Sequence, residues 1–391
     1  MPKPLIIKAM QTPYYQYNTD LLRQTLSIAR QESQLNGFYV HYALKANSNP
    51  TILRIIAEYG FGADCVSGNE VRTALENGFE TNKVVFAGVG KTDDEIEYAI
   101  DNDIFCLHCE SIQELEVIDR IADAKNKHVA VALRINPNVD ALTHKHITTG
   151  TSINKFGLTV SEAKLAIQII PRLQHIKLIG LHFHIGSQIT KMSVFRNLAR
   201  RAKEIERELN PNGEFPYLNL GGGLGIDYEN PNENPIPDFK NYFSTINSSL
   251  ERKGFQKVHF ELGRSLVGQC GKLVTKVLFT KQTGEKNFVI VDAGMNTLIR
   301  PALYGAHHRI ENVTSTEILN EIYSIVGPIC ETTDCFDENI YLPVTKRGDL
   351  IEILSCGAYG EVMSSRYNLR DLPGIKFATG KVYQESELNI E

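Results

Sequence analysis

From Phe38 to Glu261 the chain alternates short apolar runs with stretches of helical periodicity, and this rhythm restricts its folding more than any other feature. The runs 38–44, 61–65, 84–87, 104–107, 129–135, 178–184, 217–220 and 257–261 are rich in β-branched and aromatic residues and read as strands. Between them, 50–59, 68–78, 92–100, 110–124, 159–171, 190–209 and 238–252 read as helices. Eight strands alternating with helices over roughly 250 residues predict an α/β fold in which a (β/α)8 TIM-like barrel closes on itself. A doubly wound open sheet has the same alternation, so periodicity leaves closure undecided. The barrel is assigned to residues 25–265. Near Gly268 the rhythm stops, and 272–280, 287–292, 321–326, 339–343 and 349–354 read as strands between turn-rich segments. Residues 266–391, joined by 1–24, are therefore expected to form a C-terminal mostly-β domain, a β-barrel or sandwich. Pro231 to Pro237 reads as a surface loop.

Composition narrows the function classes. A net charge of −5 without a dense Lys/Arg tract points away from nucleic acid. No apolar run approaches the roughly 18 residues that span a bilayer, and Met1-Pro-Lys-Pro lacks the features of a secretory signal, so no membrane partner is expected. Seven cysteines, an odd number scattered from Cys65 to Cys356, suggest reduced thiols and a cytoplasmic protein.

Barrels of this kind bind ligands at the C-terminal ends of their strands. There the sequence sets Lys45, Asp64, Arg134, His184, three glycines after Leu220, and Glu261 with Arg264. Lys45 stands in Tyr42-Ala-Leu-Lys-Ala-Asn, among apolar neighbours. Desolvation lowers a lysine pKa, and a neutral amine forms a Schiff base with a carbonyl. The simpler alternative is a strand-terminal lysine with its head in water.

Gly221, Gly222 and Gly223 follow a strand, where consecutive amides can wrap an anion. Neither the dinucleotide fingerprint nor the P-loop is complete, which leaves a smaller phosphate or a plain flexible turn. His182 and His184 share a strand face, so a metal pair and an imidazole stacked on an aromatic cofactor both stand. Ser187 offers a donor to a phosphate. Glu261 with Arg264 is either an ion pair or, beside a pyridine ring, a carboxylate for the ring nitrogen and a guanidinium for an anion. Cys330-Glu331 lies in a Gly-Pro turn, outside any core pattern, whereas Cys106-x-x-Cys109 reads as structural. His144 and His146 belong to a Thr/Gly-rich loop that suggests a lid.

Six motifs, in order, resemble the fold-type III pyridoxal-phosphate-dependent basic amino-acid decarboxylases, and among them the diaminopimelate decarboxylases. They are Tyr42-Ala-Leu-Lys-Ala-Asn, His184-Ile-Gly-Ser, Leu220-Gly-Gly-Gly, Glu261-x-Gly-Arg, Gly327-Pro-Ile-Cys-Glu and Gly357-Ala-Tyr-Gly. The resemblance implies that Lys45 carries pyridoxal 5'-phosphate covalently and that His184 stacks on its ring. Ser187 and the Gly221–Gly223 backbone would bind the phosphate, with Glu261 on the ring nitrogen and Gly263 beside the cofactor. Tyr359 would lie near both phosphate and substrate. Asp64, Glu70 and Arg134 match further pocket positions.

Arg264, Arg300 and Tyr304 would hold a distal carboxylate, Glu331 a distal ammonium, and Cys330 would protonate the α-carbon. In that family the Cys-Glu pair serves a neighbouring subunit, which implies a homodimer with shared active sites. A zwitterionic distal end favours meso-diaminopimelate, converted to L-lysine and carbon dioxide. A carboxynorspermidine-type substrate and a catalytically inactive relative are the alternatives; the latter would lack Lys45 or Cys330. No metal is implied. Leu262 in place of the usual proline, Thr332-Thr333 in place of Ser-Gly, and Glu361-Val362 after Gly360 depart from the family pattern.

Overall fold

The computed structural model describes residues 11–139, 155–250 and 256–379. The chain divides into two compact units, one of Arg23–Ile226 with Ile236–Leu266, the other of Met1–Leu22, Asp227–Pro235 and Val267–Glu391. The Asn- and Pro-rich stretch read as a surface loop thus falls largely within the second unit.

Strand β1 (Tyr14–Asn18) runs straight into α1 (Thr19–Leu35). Asn18 Oδ1 accepts the amides of Asp20 and Leu21 at 3.0 Å, so the side chain before Thr19 caps this helix. The barrel strands are β2 (Phe38–Ala43), β3 (Gly62–Cys65), β4 (Val84–Phe86), β5 (Cys106–Cys109), β6 (Val129–Ile135), β7 (Ile176–Phe183), β8 (Tyr217–Asn219) and β9 (Lys257–Leu262). All pair in parallel with their sequence neighbours, and β2 pairs with β9 from Phe38↔Val258 to Tyr42↔Leu262. That last ladder closes the barrel and settles the choice that periodicity left undecided.

The intervening helices are α2 (Pro50–Glu58), α3 (Gly68–Glu76), α4 (Asp93–Asp101), α5 (Ile112–Ala124), α6 (Val160–Ile169), α7 (Met192–Leu209) and α8 (Phe239–Ser249). Their starts are set locally. Asn49, Ser67, Ser111 and Asp238 each accept an amide of the first turn, and Thr92/Glu95 and Thr159/Glu162 form reciprocal capping boxes. Inside the barrel Val85, Cys106, Ala132, Ile179 and Tyr217 pack as one buried cluster. Phe260 of β9 packs on Phe38 and Phe243 with ring centroids 5.0 and 5.3 Å away, which seats α8.

One barrel strand lies two residues later than expected: β5 covers 106–109 rather than 104–107. Asn102 caps α4 and Asp103 has φ +49, so the chain is still turning until Phe105. The shift brings His108 and Cys109 into the strand.

The second unit follows α9 (Arg264–Val267) with β10 (Gly271–Thr283), β11 (Lys286–Val291), α10 (Arg300–Tyr304), β12 (Ile310–Asn312), β13 (Asn320–Val326), β14 (Cys335–Pro343), β15 (Leu350–Ile353) and β16 (Gly374–Ala378). The strand order is β12-β15-β10-β11-β13-β14, with β1 pairing with β10 and β16. The mostly-β expectation holds, and the N-terminal segment joins it through β1. Strand β12 escaped the sequence reading because it is short and polar, and β16 because only Ile375 and Phe377 alternate in it. The first half of β14 escaped it because irregular pairing with β13 breaks the period-two alternation.

Candidate active site at the barrel mouth and the substrate loop

Lys45 is not the last strand residue. It sits in a 3-10 turn, Leu44–Ala46, just after β2. Leu44 and Ala46 are fully buried, and Tyr42 donates its hydroxyl to the Asn47 carbonyl at 2.8 Å, so the turn is pinned and Lys45 is held apart from its apolar neighbours. Gly263 completes the seat, because a Cβ there would approach the Ala46 Cβ to 2.9 Å. The Lys45 ammonium faces Asp64 of β3 at 3.7 Å and interacts with the charges of Glu70 and Glu261. The expectation of a lysine in apolar surroundings is therefore corrected: its sequence neighbours are apolar, its spatial neighbours are charged.

Asp64 is buried, and burial, reinforced by Glu261, pushes its carboxyl up to about 7 although Lys45 and Arg134 oppose the shift. Neither carboxylate oxygen has a hydrogen-bond partner. Burial likewise raises Glu70 to about 7, even though its carboxylate accepts the Val66 amide at 2.7 Å.

Arg134 of β6 is spoken for. It forms a buried ion pair with Glu110 at 2.7 Å and lies over the Phe156 ring at 4.8 Å. Glu110 also accepts the amides of Gly157 and Gly88, so it ties three strand-end segments together. The sequence reading missed Glu110; an acid immediately after a strand and before the Ser111 cap was its signal.

His184 follows β7 and accepts the Gly222 amide on Nδ1 at 3.3 Å. Burial and the nearby Lys45 and Arg134 push its pKa well down, so the ring is neutral with its proton on Nε2. The glycine loop is pressed against neighbouring backbone: a Cβ at Gly222 would lie 1.9 Å from the Glu261 carbonyl, and Gly221 and Gly223 have φ of +67 and +109. The loop thus requires glycine for packing, and Gly221 donates its amide to Asn219 Oδ1 at 2.8 Å. Ser187 Oγ accepts from Arg264 Nη2 at 3.1 Å and Nε at 3.3 Å, which brings Arg264 to the same side as the residues expected to hold a phosphate.

His182 does not pair with His184. Its Nε2 lies 3.1 Å from Glu261, and its ring lies 4.1 Å from that of His108. Among the described residues, His108, His182 and Glu261 form the group whose donor atoms come close enough for a metal. His182 Nε2 and Asn219 Nδ2 hydrogen-bond to Glu261, while Nδ1 of both histidines makes no hydrogen bond.

In the second unit Cys330 is exposed and its amide donates to Asn368 Oδ1 at 3.0 Å. Glu331 accepts the Tyr367 hydroxyl. The loop carrying both is organised by the buried Asp334, which takes the amides of Met295 and Ile329 at 2.6 Å and leaves no room for a side chain at Gly327. Sequence reasoning missed Asp334, which follows the Thr332-Thr333 departure and explains how this loop is held. The other six cysteines are buried or half-buried, and all seven are free.

Arg300 is buried and donates Nη1 to Tyr228 Oη and His308 Nε2, both at 2.8 Å. His308 Nδ1 lies 2.9 Å from the Leu354 carbonyl, which fixes it as the protonated nitrogen. Tyr304 is half-buried on the same helix, and Tyr359 is half-buried with φ +57, a conformation that costs a bulky residue energy. The suggested His144–Gly150 lid lies outside the described residues.

The residues at the barrel mouth fit pyridoxal phosphate. A lysine emerges beside an acid whose two oxygens accept no hydrogen bond, a buried carboxylate stands ready for a cationic nitrogen, and a glycine loop stands near Ser187 and Arg264. The family model for the pyridoxal binding domain of pyridoxal-dependent decarboxylases matches residues 22–268. Diaminopimelate decarboxylase of Bacteroides thetaiotaomicron is 52% identical over 94% of this chain and 95% of its own length. That of Aquifex aeolicus is 38% identical over 92% and 84%. The crystal structure of Helicobacter pylori diaminopimelate decarboxylase complexed with L-lysine superposes with a TM-score of 0.90, at 37% identity, over 95% of this chain and 93% of that one. A Vibrio vulnificus lysine/ornithine decarboxylase, at 20% identity and a TM-score of 0.81, shares the fold.

Proposed function

Since the chain belongs to the pyridoxal-dependent decarboxylases, in the diaminopimelate decarboxylase branch, we propose how its residues divide the work of converting meso-diaminopimelate to L-lysine and carbon dioxide. It is a carboxy-lyase that uses pyridoxal phosphate. When bound, that group supplies a conjugated electron sink for the electron pair left at the α-carbon. Lys45 Nζ holds it covalently, and Glu261 keeps a negative charge at its ring nitrogen. His184, neutral, offers a flat face. Ser187, Arg264 and the Gly221–Gly223 loop take its phosphate; the hydrogen bonds between Arg264 and Ser187 support this choice over the distal carboxylate for Arg264.

Arg300 and Tyr304 then serve the distal carboxylate and Glu331 the distal ammonium, with Tyr359 beside the phosphate and substrate. Cys330 Sγ carries the proton to the α-carbon, consistent with its exposure on a loop held by Asp334. The working form is a cytoplasmic homodimer in which each protomer supplies Cys330 and Glu331 to its partner. The observation that carries the reading is Lys45 paired with the buried Asp64 at a barrel mouth, in a chain half identical to a diaminopimelate decarboxylase.

The test is direct. Protein with pyridoxal phosphate is given meso-diaminopimelate, carboxynorspermidine, ornithine or arginine, and carbon dioxide and amine are measured. Lysine from diaminopimelate alone is expected. Turnover of the polyamine precursor instead would overturn the distal-end assignments.

A further inference from the structure

We propose that Asn219 and His182 present hydrogen-bond donors to Glu261 and hold it as a carboxylate, with Tyr217 and His108 as positioning residues that fix the proton order behind them; the proposal rests on the assignment of Glu261 to the cofactor's ring nitrogen. The proton order can be followed from the backbone. Gly221 N–H donates to Asn219 Oδ1 at 2.8 Å, which leaves the Asn219 NH2 as a double donor. It gives one hydrogen bond to Glu261 Oε1 and one to Tyr217 Oη, both at 2.8 Å. Tyr217, already an acceptor from Asn219, places its own proton toward His108 Nε2 at 2.9 Å. A neutral His108 must then carry its proton on Nδ1, which makes no hydrogen bond but turns its positive edge toward Glu261 Oε1 from 3.5 Å. On the other oxygen, His182 Nε2 stands at 3.1 Å and donates. Both imidazoles are fully buried and held neutral by that burial, with the neighbouring cations acting in the same sense.

The consequence concerns which of two acids is charged. Glu261 is faced by Lys45 and His41 from the β2 side, Asp64 from β3, Cys106 and His108 from β5, Arg134 from β6, His182 from β7, and Tyr217 and Asn219 from β8. Burial raises Glu261 as it raises Asp64, and the Glu261 charge raises Asp64 further. Two buried carboxylates so coupled resist being ionised together. Asp64 accepts no hydrogen bond and has only the charges of Lys45, partly exposed to water at 3.7 Å, and Arg134 to favour its ionisation, whereas Glu261 is served on both oxygens. The relay therefore directs the negative charge to Glu261, the acid that meets the ring nitrogen.

His108 could not have been singled out from the sequence, because the strand carrying it was placed two residues early.

The test compares pyridoxal phosphate with its analogue carrying carbon in place of the ring nitrogen. Affinities of the apoenzyme for both are measured by absorbance titration, in the parent and in Tyr217→Phe, His108→Phe and Glu261→Gln. The parent is expected to prefer the natural cofactor. Glu261→Gln should abolish that preference. Tyr217→Phe, which removes one oxygen and endangers folding least, should cut it roughly tenfold while leaving the analogue's affinity unchanged. If both affinities fall together in Tyr217→Phe and His108→Phe, the residues act through packing and the relay is wrong. If the preference survives both variants but not Glu261→Gln, the relay alone is overturned. If it survives Glu261→Gln, the ring-nitrogen assignment falls and the relay falls with it.

Discussion

Asp64 shows what burial does to one side chain and supplies a measurable consequence. In the unfolded chain its carboxyl has the ordinary value of 3.8; in the fold it is raised to about 7. Between those values the folded protein retains a proton that the unfolded chain has lost, so stability falls as pH rises from about 4 to about 7 and the penalty is complete above that window. Asp64→Asn removes the penalty. Thermal melts of the apoenzyme at pH 8 should show the variant more stable by about 1–3 kcal/mol, and the gain should vanish near pH 4. Lys45 is over a third exposed and Arg134 keeps Glu110, so neither cation is stranded by the change. Cys330 makes a different kind of claim. As a proton donor acting after binding, its loss in Cys330→Ala should lower kcat by roughly 100-fold or more while KM moves little. Steady-state assays with diaminopimelate check this, and an unchanged kcat would assign the proton to another group.

At the level of elements, the barrel mouth depends on backbone approaching backbone where the sequence offers no side chain. Gly222 sets the end of β8 against the carbonyl of Glu261 on β9, with 1.9 Å available for a Cβ. Gly222→Ala must push the loop away, and urea unfolding should show a loss of about 2 kcal/mol or more together with weaker cofactor binding. The Glu110–Arg134 pair joins β5 to β6 in the same region. Glu110→Ala leaves a buried guanidinium unpaired, for which a loss of about 3–5 kcal/mol is expected in the same unfolding measurement. Glycine motifs were readable from the sequence as glycine motifs. That their crowding comes from neighbouring strands was not.

For the whole molecule, the proposal that protomers share active sites predicts complementation. Lys45→Ala and Cys330→Ala should each be inactive or nearly so, yet mixing them under exchange should restore about a quarter of parental activity, since half of the dimers carry one intact site. Recovery absent under proven subunit exchange would place both residues on one protomer. The sequence by itself determined the alternation of strands and helices, the mostly-β character of the second unit and the six motifs that carry the family resemblance. These are local or periodic properties, written in neighbouring residues. Only the tertiary structure decided that β2 pairs with β9 to close the barrel, that Lys45 lies among charges rather than apolar groups, and that Arg264 meets Ser187. It alone gathers Tyr217, His108, His182 and Asn219 around Glu261 from three strands. Each of these depends on residues far apart in the chain whose meeting is fixed by strand register, and a shift of two residues in β5 is enough to hide one of them.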